Sequence, residues 1–153
     1  MKLYFLDGGK EYEAVLKESG EPANHQTRWI MNQIRNPNKD FSVRETFDLN
    51  VKREEFRQNL LIQWNNTVER TGTGRPVDAI ITPVAQTRAP KHEGTTWWGY
   101  TSYWNLADYP AAVFPLRRNA PHGELPTCLQ LVGRHLNEER VLGILNVVDK
   151  LVN

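Results

Sequence analysis

Three short apolar runs limit what this chain can build. Ala79, Ile80 and Ile81 stand between Asp78 and Pro83. Ala111 to Phe114 is closed by Pro115, and Thr127 to Gly133, TCLQLVG, is the third run. Continuous apolar stretches of this length suit strands covered on both faces, because a strand with one wet face alternates instead. Something on either side must supply the cover, and the rest of the chain reads as helix. Glu11 to Ser19 forms a short helix ended at Gly20. Pro22 opens a second, carrying Trp29, Ile30, Met31 and Ile34. Residues Asn36 to Asp40 are a polar turn. A long helix runs from about Val51 to Arg70, capped by Asn50, with Glu54 and Glu55 in its first turn. Its Phe56, Leu60, Trp64 and Val68, with Leu61 alongside, make one buried stripe. A last helix starts after Asn137 and buries Val141, Ile144, Leu145, Val148 and Val152. Helices, strand, loop, strand, strand and helix in that order predict an α/β fold: a small mixed sheet flanked by helices. At 153 residues the chain forms a single domain, 1–153, burying roughly 68–70% of its unfolded surface.

Composition removes several function classes. A formal net charge of +1 argues against a nucleic-acid surface built on bulk charge. No run of 18 apolar residues exists, so no membrane span is expected. Met1 to Gly9 is too short an apolar core for a signal peptide. Cys128 is the only cysteine, which excludes an intrachain disulfide and suits a reducing, cytoplasmic setting. His25, His92, His122 and His135 show no metal-ligand spacing, so neither a metal nor another cofactor is expected. Gly72 to Pro76, GTGRP, lacks the Gly-Lys-Ser/Thr of a phosphate loop and follows a helix rather than a strand.

The stretch GYTSYWNLADYPAAVFPL, Gly99 to Leu116, concentrates aromatic rings beside a few polar groups. Such rings bury large areas and, as Tyr and Trp, keep a polar handle. A pocket wants mostly apolar walls with a few placed polar groups. Trp97, Trp98, Tyr100, Trp104, Asn105 and Phe114 are therefore the candidate ligand-binding residues. Asp108, Tyr109 and Tyr103, with His92 in the preceding loop, are the candidate acid–base groups. Each has a plainer reading. The rings are core, Asp108 before Tyr-Pro is a turn residue, and the His92-Glu93 and His122-Glu124 pairs are solvated loops.

Taken in order, FLDGG, SGEP, REEFRQNLLIQW, DAIITPVAQTRAP, YTSYWNLADYPAAVFPL and LQLVGRHLNEERVL cover nearly the whole chain. Together they resemble the C-terminal third of amidase-signature enzymes, above all the fungal acetamidase-like branch. The resemblance implies a truncated amidase-signature fold, with the aromatic stretch beside the substrate channel. It also implies a Ser–cis-Ser–Lys triad in a Gly/Ser-rich run, with an oxyanion hole of backbone N–H groups. This chain holds only Ser19, Ser42 and Ser102, and its one glycine pair, Gly8-Gly9, leads into Lys10 and Glu11. No triad residue carries over, so amide hydrolysis by this chain alone is not expected. Between Pro115 and Thr127, LRRNAPHGELP replaces the longer acidic and aromatic insertion of fungal relatives.

Apolar faces and open strand edges left by truncation invite association. A homodimer is the preferred cover, and a partner chain the rival. The expected function is a non-hydrolytic, amidase-like protein that binds an apolar small molecule. It would be a candidate for acid–base isomerisation or cyclisation in secondary metabolism. The alternative is an accessory chain or inert fragment of an amide hydrolase whose triad lies on another polypeptide.

Overall fold

The structure, a computed structural model, describes residues 2–34, 41–87, 89–90, 94, 97–116 and 127–152. The expected polar turn at 36–40, and His92, Glu93, His122 and Glu124, lie outside these residues. The chain divides into two compact units. One comprises residues 1–55 with 91–96, the other 56–90 with 97–153.

The first unit is helical. A 3-10 turn, Lys2–Phe5, leads into α1, Lys10–Ser19, and α2, His25–Ile34; the first half of α3, Val43–Asn66, completes it. The Asp7 carboxylate starts α1, accepting the N–H of Gly9 at 2.9 Å and of Glu11 at 2.8 Å. Those bonds to its charged form hold the Asp7 carboxyl below the usual aspartate range. Gly20 ends α1 in the left-handed conformation, as its position after Ser19 predicts.

Two helix starts differ from expectation, and each follows cap chemistry. α2 begins at His25 rather than at Pro22, because Asn24 can cap it: its Oδ1 accepts the Thr27 N–H at 2.8 Å. α3 begins at Val43 rather than near Val51. Ser42 and Glu45 form a reciprocal capping box: the Glu45 N–H donates to Ser42 Oγ, and the Ser42 N–H donates to Glu45 Oε2. Asn50 is then interior and donates to the Thr46 carbonyl at 2.9 Å. At the far end α3 stops at Asn66. The Thr67 hydroxyl donates to the Trp64 carbonyl at 2.6 Å and accepts the Val77 N–H, and a single further turn, α4 (Val68–Thr71), reaches Gly72.

The second unit holds the sheet. β1 (Ile80–Pro83), β2 (Ala111–Pro115) and β3 (Cys128–Val132) lie in the order β1-β3-β2, and both pairings are antiparallel. The fold is α/β, a small sheet flanked by helices, and among the described residues the sheet is antiparallel throughout rather than mixed. β3 is the central strand, and only β3 is covered along both faces. Ile81 in the edge strand β1 is 49% exposed, which corrects the expectation of full cover there. Paired residues share a face, so the register sorts the core. Val132 and Ile80 face Leu60, Trp64, Trp104, Ala107 and Tyr109. On the opposite face Leu131, Phe114, Ala112 and Leu129 pack with Val141, Ile144, Leu145 and Val148 of α6, Glu138–Val152. Gly133 lets α6 approach: a Cβ there would lie 2.3 Å from Val141 Cγ2. Arg140 of α6 pairs with Asp78, just before β1. Among the described residues no helix is long and apolar enough to cross a membrane.

Candidate functional site

The first half of the aromatic stretch, which the expected order places in the loop between the first two strands, forms a helix. α5 spans Gly99–Ala107. Trp104 and Ala107 sit three residues apart and face the core, while Tyr100 and Tyr103 lie on an outward row. The Trp98 carbonyl accepts the Thr101 and Ser102 N–H groups and the Thr101 hydroxyl, fixing the first turn. Asp108 ends the helix at φ 63°, a conformation short polar residues tolerate better than most. Its N–H donates to the Asn105 carbonyl and that of Tyr109 to the Trp104 carbonyl.

The candidate residues fall into three places. Trp104 and Tyr109 are core. The Trp64 ring meets Tyr109 edge-on at 5.6 Å, Trp104 stacks on Tyr109 at 6.3 Å, and the Trp64 indole donates to the Val77 carbonyl. Burial pushes the Tyr109 phenol up; nearby Arg134 pulls against it, and Tyr103 adds to it. Phe114 is also buried, but on the opposite face of the sheet from Trp104, so these two rings line no common wall. A half-exposed aromatic face remains: Trp97 at 44%, Tyr100 at 38% and Tyr103 at 41%. Trp97 stands edge-on to Tyr100 at 5.0 Å, its ring lying where any Gly99 side chain would be. Tyr103 stands edge-on to Phe56 and to Trp104. Trp98 is half-buried and Asn105 exposed.

Asp108 does not stand alone. Its Oδ2 lies 3.6 Å from Arg57 Nη2 and 3.5 Å from His135 Nδ1, while its own carbonyl meets His135 Nδ1 at 2.7 Å. Arg57 Nε donates to the Leu106 carbonyl at 3.0 Å. Arginine and imidazole thus gather around carbonyls at the C-terminal end of α5, where positive charge is favoured.

Gln130 supports the exposed face from inside. It is 2% exposed, and its amide donates to the Pro83 carbonyl at 2.8 Å and the Tyr100 carbonyl at 3.0 Å, tying the end of β1 to the first turn of α5. Sequence reasoning passed over Arg57, His135 and Gln130. The first two had no local signal, since their partners lie 49 and 27 residues away. Gln130 had one: a primary amide inside the apolar run CLQLV needs internal partners if the strand is covered. Among the described residues no three His, Cys, Asp or Glu side chains gather as a metal site. What the arrangement offers chemically is an exposed aromatic surface along α5 and, at the C-terminal end of that helix, an imidazole paired with a carboxylate.

Comparison with known proteins places the chain in a family. Residues 10–142 match the Amidase family model. The chain is 29% identical to Amidase FG08078 of Gibberella zeae, over 97% of its own length and 33% of the relative's. It is 31% identical to an acetamidase of Aspergillus oryzae, over 99% and 32%, and 28% identical to an acetamidase of Emericella nidulans, over 98% and 31%. The chain therefore spans about a third of the length of the curated relatives it matches. The first of these alignments runs over 180 positions against a 153-residue chain, so that relative carries intervening residues which this chain does not. Among solved structures, a fatty acid amide hydrolase superposes with TM-score 0.76 at 24% identity, over 98% of this chain and 30% of that one, which shows a shared fold.

Proposed function

The chain belongs to the amidase family, and we propose that it is the non-catalytic, wall-forming portion of an amide hydrolase whose serine and lysine machinery is carried by polypeptide outside these residues. One observation carries the reading: nearly the whole chain aligns with only a third of each relative, and its three serines stand in no Gly/Ser-rich run. The half-exposed face of Trp97, Tyr100 and Tyr103 would then meet an apolar part of the substrate. The apolar row Val43, Phe47 and Val51, which is exposed on α3, would be covered by the completing polypeptide. The test is complementation. An Aspergillus oryzae acetamidase shortened by the matching third is expressed with and without this chain. Co-purification with regained amide hydrolysis is expected. Amide hydrolysis by this chain alone, or no regain in a stable complex, overturns the reading.

A second reading rests on the imidazole and carboxylate paired at the end of α5. In it the chain is a self-contained cytoplasmic homodimer that binds an apolar small molecule without a cofactor. Acid–base groups among Asp108, Tyr109 and Tyr103 isomerise or cyclise that molecule in fungal secondary metabolism. Light scattering of the purified chain separates the two: a stable dimer whose melting temperature rises with apolar ligands favours this one.

A further inference from the structure

Among the described residues only two non-glycine residues have positive φ: Asp108 at 63° and Leu136 at 58°. An aliphatic side chain disfavours that region, and strain of this kind persists where the surroundings over-determine it. Leu136 is also 74% exposed, so its own packing does not offset the cost. Both residues hold the same group. Asp108 turns the end of α5 so that its carbonyl and carboxylate face His135. Leu136 turns the chain after His135 into α6, with the Asn137 side-chain amide donating to the His135 carbonyl and the Asn137 N–H to the Arg134 carbonyl.

We infer that His135 is a proton-transfer residue, oriented by Asp108 and backed by Arg57, acting on small neutral molecules that bear a weakly acidic C–H or O–H. A carbonyl oxygen can only accept, so the 2.7 Å contact requires the proton of the neutral ring to sit on Nδ1. The lone pair then lies on Nε2, and the side chain is 51% exposed, so small molecules can reach it. The Asp108 carbonyl fixes the ring orientation, and its carboxylate lies 3.5 Å from the same Nδ1, so one residue presents both groups to the side of the ring away from Nε2. Arg57 balances that carboxylate when the ring is neutral and, through the Leu106 carbonyl, holds the end of α5 in place. His135, which no metal-ligand spacing singled out, thereby becomes the base, and Asp108 a positioning residue.

This deepens the second reading above and rests on its acid–base premise. The probe is 5-nitrobenzisoxazole. In the step, Nε2 takes the C3 proton, the C–H electron pair forms the nitrile, and the N–O bond breaks with its pair left on the phenolate oxygen. No oxidant, reductant or co-reactant is required. The full chain is expected to outpace an equal concentration of free imidazole. His135→Gln should lose about tenfold, short of the hundredfold or more a positioned base contributes with its own substrate. Long-range proton–nitrogen NMR should show the neutral His135 ring protonated on Nδ1, and Asp108→Asn, which keeps the orienting carbonyl, should leave that signature in place. Unchanged turnover in folded His135→Gln, or a ring protonated on Nε2, overturns the assignment. If turnover instead vanishes in Tyr103→Phe while His135→Gln is unaffected, the assignment falls and the acid–base reading stands. If the wild-type chain does not exceed free imidazole, both fall.

Discussion

Gln130 is the position where a single substitution should report most on how the aromatic face is held. Its buried amide donates two hydrogen bonds, to the Pro83 and Tyr100 carbonyls. In Gln130→Met the volume is nearly kept and both bonds are lost. Each is worth about 0.5–1.5 kcal/mol net, so the expected cost is about 1–3 kcal/mol. Gln130→Glu is closer in shape but replaces a donor with acceptors, facing two carbonyl oxygens. An ionised carboxylate there has neither water nor a donor, so burial should raise its pKa by roughly 2–3 units above the ordinary glutamate value. The sign follows from linkage. Below the unfolded value, about 4.3, the carboxyl is neutral in both states and can donate to one carbonyl, so little is lost. As pH rises the unfolded state ionises first, and stability falls by about 1.4 kcal/mol per pH unit until the folded group ionises too, or roughly 3–4 kcal/mol in all. Urea unfolding followed by tryptophan fluorescence at about pH 4.5 and about pH 7.5 reads this directly. The Glu variant should match or exceed the Met variant at the lower pH and fall well below it at the higher. Equal stabilities at both values would show that the Gln130 amide is not buried against those carbonyls, and the account of how α5 is anchored would fail.

Two further outcomes follow from the caps and the core. Asp7→Ala removes the acceptor of two N–H groups at the start of α1 and should cost about 0.5–1 kcal/mol in thermal unfolding at neutral pH. Because the folded Asp7 carboxyl is held low, the wild-type advantage is complete above about pH 4 and is lost as pH falls through the depressed value; an advantage that grew on acidification would contradict this. Trp64→Phe removes the indole bond to the Val77 carbonyl and part of the ring filling the core beside Tyr109, and should cost about 2–3 kcal/mol in urea unfolding; a loss under about 0.5 kcal/mol would show that the ring is not packed there.

Periodicity and turn chemistry made much of the fold readable in advance. The stripe Phe56, Leu60 and Trp64 and the row Val141, Ile144, Leu145 and Val148 of α6 follow the helical repeat, whereas Val68, beyond the end of α3, and Val152, in the last turn, are exposed rather than buried as expected; Gly20 ends α1 where it stands in the chain. Two helix starts were misplaced although Asn24 and the Ser42–Glu45 box were in plain view, because Pro22 and Asn50 offered competing signals of the same kind. α5 was harder. Its apolar positions are aromatics on both the inward and outward rows, so no contrast marked the buried face, and Asp108 with Pro110 suggested a loop where Asp108 only ends a helix. The sheet shows a different limit. Ile80-Ile81 and Leu131-Val132 look alike as apolar pairs, yet Ile81 is half exposed and Val132 fully buried, because cover on the second face depends on which strand takes the centre. The same holds for the chemistry. The run CLQLV shows that a covered glutamine needs internal partners, while nothing local marks His135. The partners themselves, Tyr100 and Asp108, are set by how α5 ends against β3 and the turn into α6. In this chain the acid–base geometry is therefore a consequence of a helix terminus. Substitutions that lengthen α5 past Asp108 should dismantle it more completely than removal of the Asp108 carboxylate does.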